Sequence, residues 1–247
     1  VKGALKKGEF EVWFQPQYDY ETSALIGAEA LVRWRHPERG LIPPADFIPL
    51  LERSRQVTFV DAYVIEKSCA YAKYWQERGI ELPISVNISR IDILGGKICR
   101  TIYDTVKKLG IEPRLIKLEI TESAYTSDTE ALKSVVTDFK AAGFTVEMDD
   151  FGSGYSSLNI LKDLDIDTIK IDIKLTSQVG CGNKKSDDIL RSVVKMAKDL
   201  NIGVIAEGVE TKTQAEFLKA VGCTAMQGYY FARPMPPQEF EQLVGKD

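Results

Sequence analysis

Residues 143–158 read "GFTVEMDDFGSGYSSL". An apolar stretch ends in two adjacent carboxylates, Asp149 and Asp150, and a glycine-bearing turn follows. Adjacent carboxylates repel each other and lower strand propensity, so the pair points to a cationic ligand. Other strand-like stretches end in the same way. Glu29 lies in "AEALVR", Asn87 in "VNIS", Glu119 in "LEIT" with Glu122 after it, Lys170 in "IKID", Glu207 in "AEG" and Gln227 in "MQG". The donors are carboxylates and an amide oxygen, with no thiolate and no imidazole, which suits Mg²⁺ or Mn²⁺ better than zinc or copper. So many carboxylates exceed the needs of one ion and would repel strongly without cations between them. Two ions about 3.5–4 Å apart are the standard means of hydrolysing a phosphodiester. Lys170 and Glu207 would then orient the attacking water and handle its proton.

The elements that must position these groups follow from periodicity. "EVWFQPQ" (11–17) and "ALIGAEALVRW" (24–34) predict two strands joined by the turn-rich "YDYETS". That turn is too short for a helical crossover, so the two pair as a hairpin and one strand runs antiparallel to the rest. "PPADFIPLLERS" and "TFVDAYVIEKSCAYAKYWQERG" predict helices, the second ending at Gly79. From "LPISVNIS" onward, strand and helix alternate to the C-terminal "CTAMQG" and "PPQEFEQLV". About eight strands, most of them followed by a helix, predict an α/β fold of the TIM (β/α)8 barrel type, modified by one antiparallel strand. In that architecture active sites form at the C-terminal strand ends. Adjacent strand residues face opposite ways, so Asp149 and Asp150 reach one site only if the chain leaves the strand at Asp150. Gly152 and Gly154 are expected to supply that departure.

Composition narrows the function classes. The 247 residues suit a single barrel domain, with 44% apolar and 28% charged residues. A net charge of −4 argues against a binder of polymeric nucleic acid, but not against a small phosphorylated ligand. No apolar run approaches a membrane span and no signal peptide opens the chain, so no membrane contact is expected from this segment. The sequence begins at Val1 and reads as one barrel, residues 1–247, cut from a longer multidomain protein. Cys69, Cys99, Cys181 and Cys223 form no C-x-x-C pair and read as reduced cysteines of a cytoplasmic protein. The one histidine, His36, excludes metal sites and catalysts built on several. "DFG" lacks the other kinase motifs, and "GSGYSS" lacks the third glycine of a dinucleotide fingerprint.

Together, "FQPQ", "GAEALVRWRHPERGLIPPADFIPLLE", "SVNIS", "LEITES", "DDFGSGYSSL", "IKID", "AEGVET" and "QGYYFARPMP" resemble the EAL-domain family of cyclic di-GMP phosphodiesterases along essentially the whole chain. The resemblance implies a barrel with one antiparallel strand, and hydrolysis of cyclic di-GMP to linear pGpG with two Mg²⁺ or Mn²⁺ ions, Ca²⁺ being inhibitory. It implies that Glu29, Asn87, Glu119 and Asp149 bind one metal, with Asp149 bridging to a second that Asp150 ligates. Lys170 and Glu207 would position the water, Glu207 being the candidate base. Gln227 would lie beside the metals, and Gln15, Arg33 and Asp61 would contact the nucleotide. Glu122 would hold the loop after the Asp149–Asp150 strand. A homodimer through the helix after that strand is also implied. Departures from the family pattern, in "VTFVDAYVI", "NISRIDILGG" and "KIDIKLTSQV", spare the metal and water-positioning set. The rival reading is a member that binds cyclic di-GMP or a protein without turnover; the intact acidic set favours the enzyme.

Overall fold

The computed structural model describes residues 1–95, 97–125, 128–152, 157–172, 175, 179 and 183–244. Its strands are β1 (Phe10–Asp19), β2 (Leu25–His36), β3 (Gly40–Ile42), β4 (Ile84–Ile88), β5 (Ile116–Thr121), β6 (Thr145–Phe151), β7 (Thr168–Ile171), β8 (Gly203–Ala206) and β9 (Ala225–Met226). The sheet runs β1-β9-β8-β7-β6-β5-β4-β2-β3, and β1 pairs β2 again, which closes a mixed barrel and leaves β3 at its edge. β1 is antiparallel to both β2 and β9, while β2 and β4 through β9 run parallel. This is the α/β barrel with one antiparallel barrel strand expected from the hairpin. β3 was not expected, because three residues carry no readable alternation.

The apolar core lies between barrel and helices, not inside the barrel. Ile84, Val86 and Ile88 of β4, Ile116, Leu118 and Ile120 of β5, and Val146 and Met148 of β6 are buried at alternate positions. Strand alternation sends the intervening residues to the other face, and these are polar: Ser85 and Asn87, Lys117 and Glu119, Glu147 and Asp149. Helix Val57–Gln76 buries Val57, Val60, Val64, Ile65, Cys69, Ala72 and Trp75, the three-and-four spacing of one helical stripe. Trp75 stacks into an aromatic group with Phe14 and Phe240, which pins the antiparallel strand to that helix and to helix Pro237–Phe240. "PPQEFEQLV" thus yields a helix of four residues, shorter than expected.

The chain leaves the regular strand at Asp150, as expected, but the glycines are not what starts the departure. Asp150 itself takes φ +57°, inside an irregularity of register between Met148 and Phe151, after which Phe151 pairs with Ile171. Aspartate tolerates the left-handed region better than most residues, so the bulge turns the Asp150 side chain where a regular strand could not. Gly152 also has positive φ, and a Cβ there would lie 2.2 Å from Leu175 Cδ1. Gly154 lies outside the described residues.

Candidate active site

Lys170 occupies the centre of the barrel mouth. Its Nζ stands 2.6 Å from Glu119, 2.7 Å from Glu207, 3.4 Å from Glu29 and 3.7 Å from Asp149. These four acids come from β5, the turn after β8, β2 and β6, which are separated by up to 178 positions in sequence. Asn87 Nδ2 donates to one Glu29 oxygen at 3.1 Å. Gln227 donates to the other Glu29 oxygen and, at 3.1 Å, to Gln15 Oε1. Gln17 donates to Gln227 Oε1 at 3.0 Å.

Two contacts aim Glu207 and Gln227. Glu207 N–H donates to Ile171 O, and Gln227 N–H donates to Ala206 O. The segment after Glu207 then lies directly on Gly228, where a Cβ would meet Val209 O at 2.1 Å and Val209 N at 2.3 Å. Only glycine permits that approach.

Four carboxylates around one ammonium form an electrostatically unfinished site. Burial disfavours the Lys170 charge, but Glu119, Glu207, Glu29 and Asp149 outweigh it and hold the ammonium protonated well above its usual range. Burial also opposes the Glu29 charge, yet Lys170, Gln227 and Asn87 pull its carboxyl below the ordinary value. Glu119 goes the other way: burial, then the Glu29 charge, push it well up despite Lys170. Glu207 rises to about 8 through burial, partly offset by Lys170. Asp150 rises to about 6 through burial, the Asp149 charge and a hydrogen bond with Asp172. Among the described residues neither Glu119 oxygen has a well-directed hydrogen bond, and nor does Lys170 Nζ. Their 2.6 Å contact is close but poorly angled. Surplus negative charge and unsatisfied hard oxygens are what a divalent cation would complete. As placed, no three acidic groups among the described residues already stand at coordinating positions; the Lys170 ammonium sits among the four acids.

The remaining expected residues divide. Glu122 is buried and accepts from Gly152 N–H at 3.2 Å, so it holds the first residue after β6. Gln15 joins the amide cluster and donates to Ala232 O at 3.3 Å. Arg33 lies farther out along β2, with its guanidinium 5.6 Å from the Trp13 ring and donating to Val32 O. Asp61 is not in the cluster. It lines a neighbouring cavity of about 620 Å³ together with Leu31, Pro44, Ile48, Asn87 and Arg90, and hydrogen-bonds with Asp92 and Ser89. Sequence reasoning missed Gln17, Lys117, Glu147, Asp92 and Asp172. Stepping two residues forward from Gln227's partner Gln15, or two back from Glu119 and Asp149, would have found the first three by alternation.

The profile of the EAL domain family matches residues 1–234. Over 242 residues the chain is 33% identical to the bifunctional diguanylate cyclase/cyclic di-GMP phosphodiesterase MucR of Pseudomonas aeruginosa, covering 97% of this chain and 35% of MucR. It is also 33% identical, over 244 residues, to the signaling protein YkoW of Bacillus subtilis, covering 99% of this chain and 30% of YkoW. The chain thus spans about a third of the length of these relatives. The solved MucR phosphodiesterase in complex with cyclic di-GMP superposes with a TM-score of 0.92 at 32% identity, covering 97% of each chain. The closed α/β barrel fold is thus shared with the solved MucR phosphodiesterase. The chain belongs to the EAL domain family.

Proposed function

We propose that this domain hydrolyses one phosphodiester bond of cyclic di-GMP and releases linear pGpG. The observation that carries the reading is the buried Lys170 held among Glu29, Glu119, Asp149 and Glu207 at the barrel mouth. The names of the relatives and the bound nucleotide in the MucR structure point to the same substrate. Glu29, Asn87, Glu119 and Asp149 would hold one Mg²⁺ or Mn²⁺ ion, and Asp149 and Asp150 a second. When bound, the ions polarise the phosphate and make water nucleophilic at neutral pH. Glu207, ionised once cations are bound, would take the proton of the attacking water. Lys170 holds Glu207 in place and adds positive charge where the phosphate gathers negative charge. Water adds to phosphorus, the bond to one ribose 3′ oxygen breaks, and a 5′-phosphate and a 3′-hydroxyl result. Arg33 suits a phosphate or a guanine edge by its forked donors, and Asp61 places an acceptor in the adjoining cavity for a base.

A homodimer through helix Ser157–Asp163 belongs to the same reading. It is supported by Leu158, 67% exposed, and Ile189, 43% exposed, which line one shallow apolar groove with Val193 and Met196. The domain works in the cytoplasm, as one module of a longer signalling chain. The free Cys69, Cys99 and Cys223 suit a reducing compartment, and no described helix is long and apolar enough to cross a membrane.

The test is direct. Incubation with cyclic di-GMP and Mg²⁺ or Mn²⁺, followed by ion-exchange separation, should give pGpG. The product should vanish with Glu29→Ala or Lys170→Ala, and Ca²⁺ should suppress it. Nucleotide binding without turnover would replace this reading with that of a receptor.

A further inference from the structure

Beside the site already described lies a second, partly buried ion pair. Glu147 of β6 is fully buried, its carboxylate 3.0 Å from Lys117 Nζ of β5 and accepting from Ser85 Oγ of β4 at 2.6 Å. Glu147 and Glu119 are register partners on neighbouring strands, so two buried carboxylates share one face about 4.8 Å apart at the backbone. They diverge by choosing different lysines. Glu119 goes to Lys170 at 2.6 Å, and Glu147 goes to Lys117 at 3.0 Å.

Lys117 sits two residues before Glu119 on the same face of the same strand, about 6.6 Å along the chain. That is within reach of a lysine side chain. Glu119 is fully buried, and its oxygens lack well-directed hydrogen bonds among the described residues. A second ammonium without its own partner would therefore be drawn to Glu119 and would neutralise it.

We propose that Glu147 is a positioning residue whose role is to hold Lys117 away from Glu119, so that Glu119 remains free to receive a divalent cation. Ser85 fixes the second Glu147 oxygen and keeps that carboxylate turned toward Lys117. The inference rests on the reading of Glu119 as a metal ligand. It adds that the ligand's availability is set by a pair of residues that touch neither metal nor substrate.

The test measures Mn²⁺ uptake by electron paramagnetic resonance of the free ion, without substrate, alongside thermal melts. Glu147→Gln keeps the shape and can still accept from Ser85, but it releases Lys117. It should weaken Mn²⁺ binding by about tenfold or more, the usual cost of losing an outer partner of a metal ligand. The double variant Lys117→Met/Glu147→Gln removes the competing ammonium and should return to within about threefold of the parent. A purely structural role would make the double variant worse than either single change. If Glu147→Gln does not fold, Lys117→Met/Glu147→Met, which replaces the pair by apolar groups of similar volume, must still bind Mn²⁺ within about threefold of the parent. The proposal is overturned if Glu147→Gln binds as the parent does, or if neither double variant recovers affinity. Failure of the parent itself to bind Mn²⁺ would instead sink the two-ion reading, and this inference with it.

Discussion

Loading the site with divalent cations should expel protons, and the number follows from the carboxyls held up by burial. Glu207 rises to about 8 and Asp150 to about 6. At pH 7 a group at about 8 is about 90% protonated and one at about 6 about 10%. Cations among these acids ionise both, so about one proton leaves from the two together. Glu119, also pushed well up by burial and the Glu29 charge, adds to that number. Apparent affinity should therefore climb at least about tenfold per pH unit around pH 7. The stability sign is consistent. Glu207 binds its proton more tightly folded than unfolded, so its contribution is present below the ordinary carboxyl pKa of 4.5 and is lost as pH rises through about 8. Chelator-treated protein should lose stability across that window, and the rise in Tm on adding Mg²⁺ should be larger at pH 8 than at pH 6. Titration calorimetry in two buffers of different ionisation enthalpy counts the protons. Metal uptake at pH 7 with no proton release, and equal Tm increments at both pH values, would refute the reasoning.

Other expectations follow from single contacts. Gly228→Ala places a methyl 2.1 Å from Val209 O, so backbone must move; a loss of about 2–3 kcal/mol should show in denaturant melts, with activity falling further because Glu207 and Gln227 move too. Asp61 is pushed well up by burial and then by its hydrogen bond with Asp92, so the stability it carries is lost as pH rises. Asp92→Asn removes the neighbouring carboxylate that helps raise Asp61 and should raise Tm relative to the parent at about pH 8 but not at about pH 5, as read by calorimetry. Leu158→Asp with Ile189→Asp puts charge on the exposed apolar groove and should turn a dimer into a monomer in light scattering; an unchanged mass would remove this face as the contact.

Much of the site was legible because a barrel converts strand alternation into a shared interior. Glu29, Glu119, Asp149, Lys170 and Glu207 each interrupt or end an apolar strand, and the only way to satisfy so many at once is a common mouth. The hairpin, and with it the antiparallel strand, followed from the length of one turn. That the chain leaves the strand at Asp150 was legible in the adjacent aspartates, but the left-handed conformation was assigned to the following glycines rather than to Asp150 itself, since sequence registers conformational freedom but not where a register slips. Glu147 and Lys117 were passed over although they alternate in step with Glu119 and Asp149, because an isolated charge inside a strand ordinarily reads as a solvated edge.

The sequence by itself determined the order of strands and helices, the hard-oxygen character of the donor set and the family. Those are properties of residue type and spacing along the chain. Only the tertiary structure decided which lysine serves which carboxylate, that Asp61 lies in a separate cavity beside Asp92, and that Gly228 must be glycine because Val209 lies against it. These depend on through-space distances between strands far apart in sequence, and those distances are set by the register and closure of the barrel.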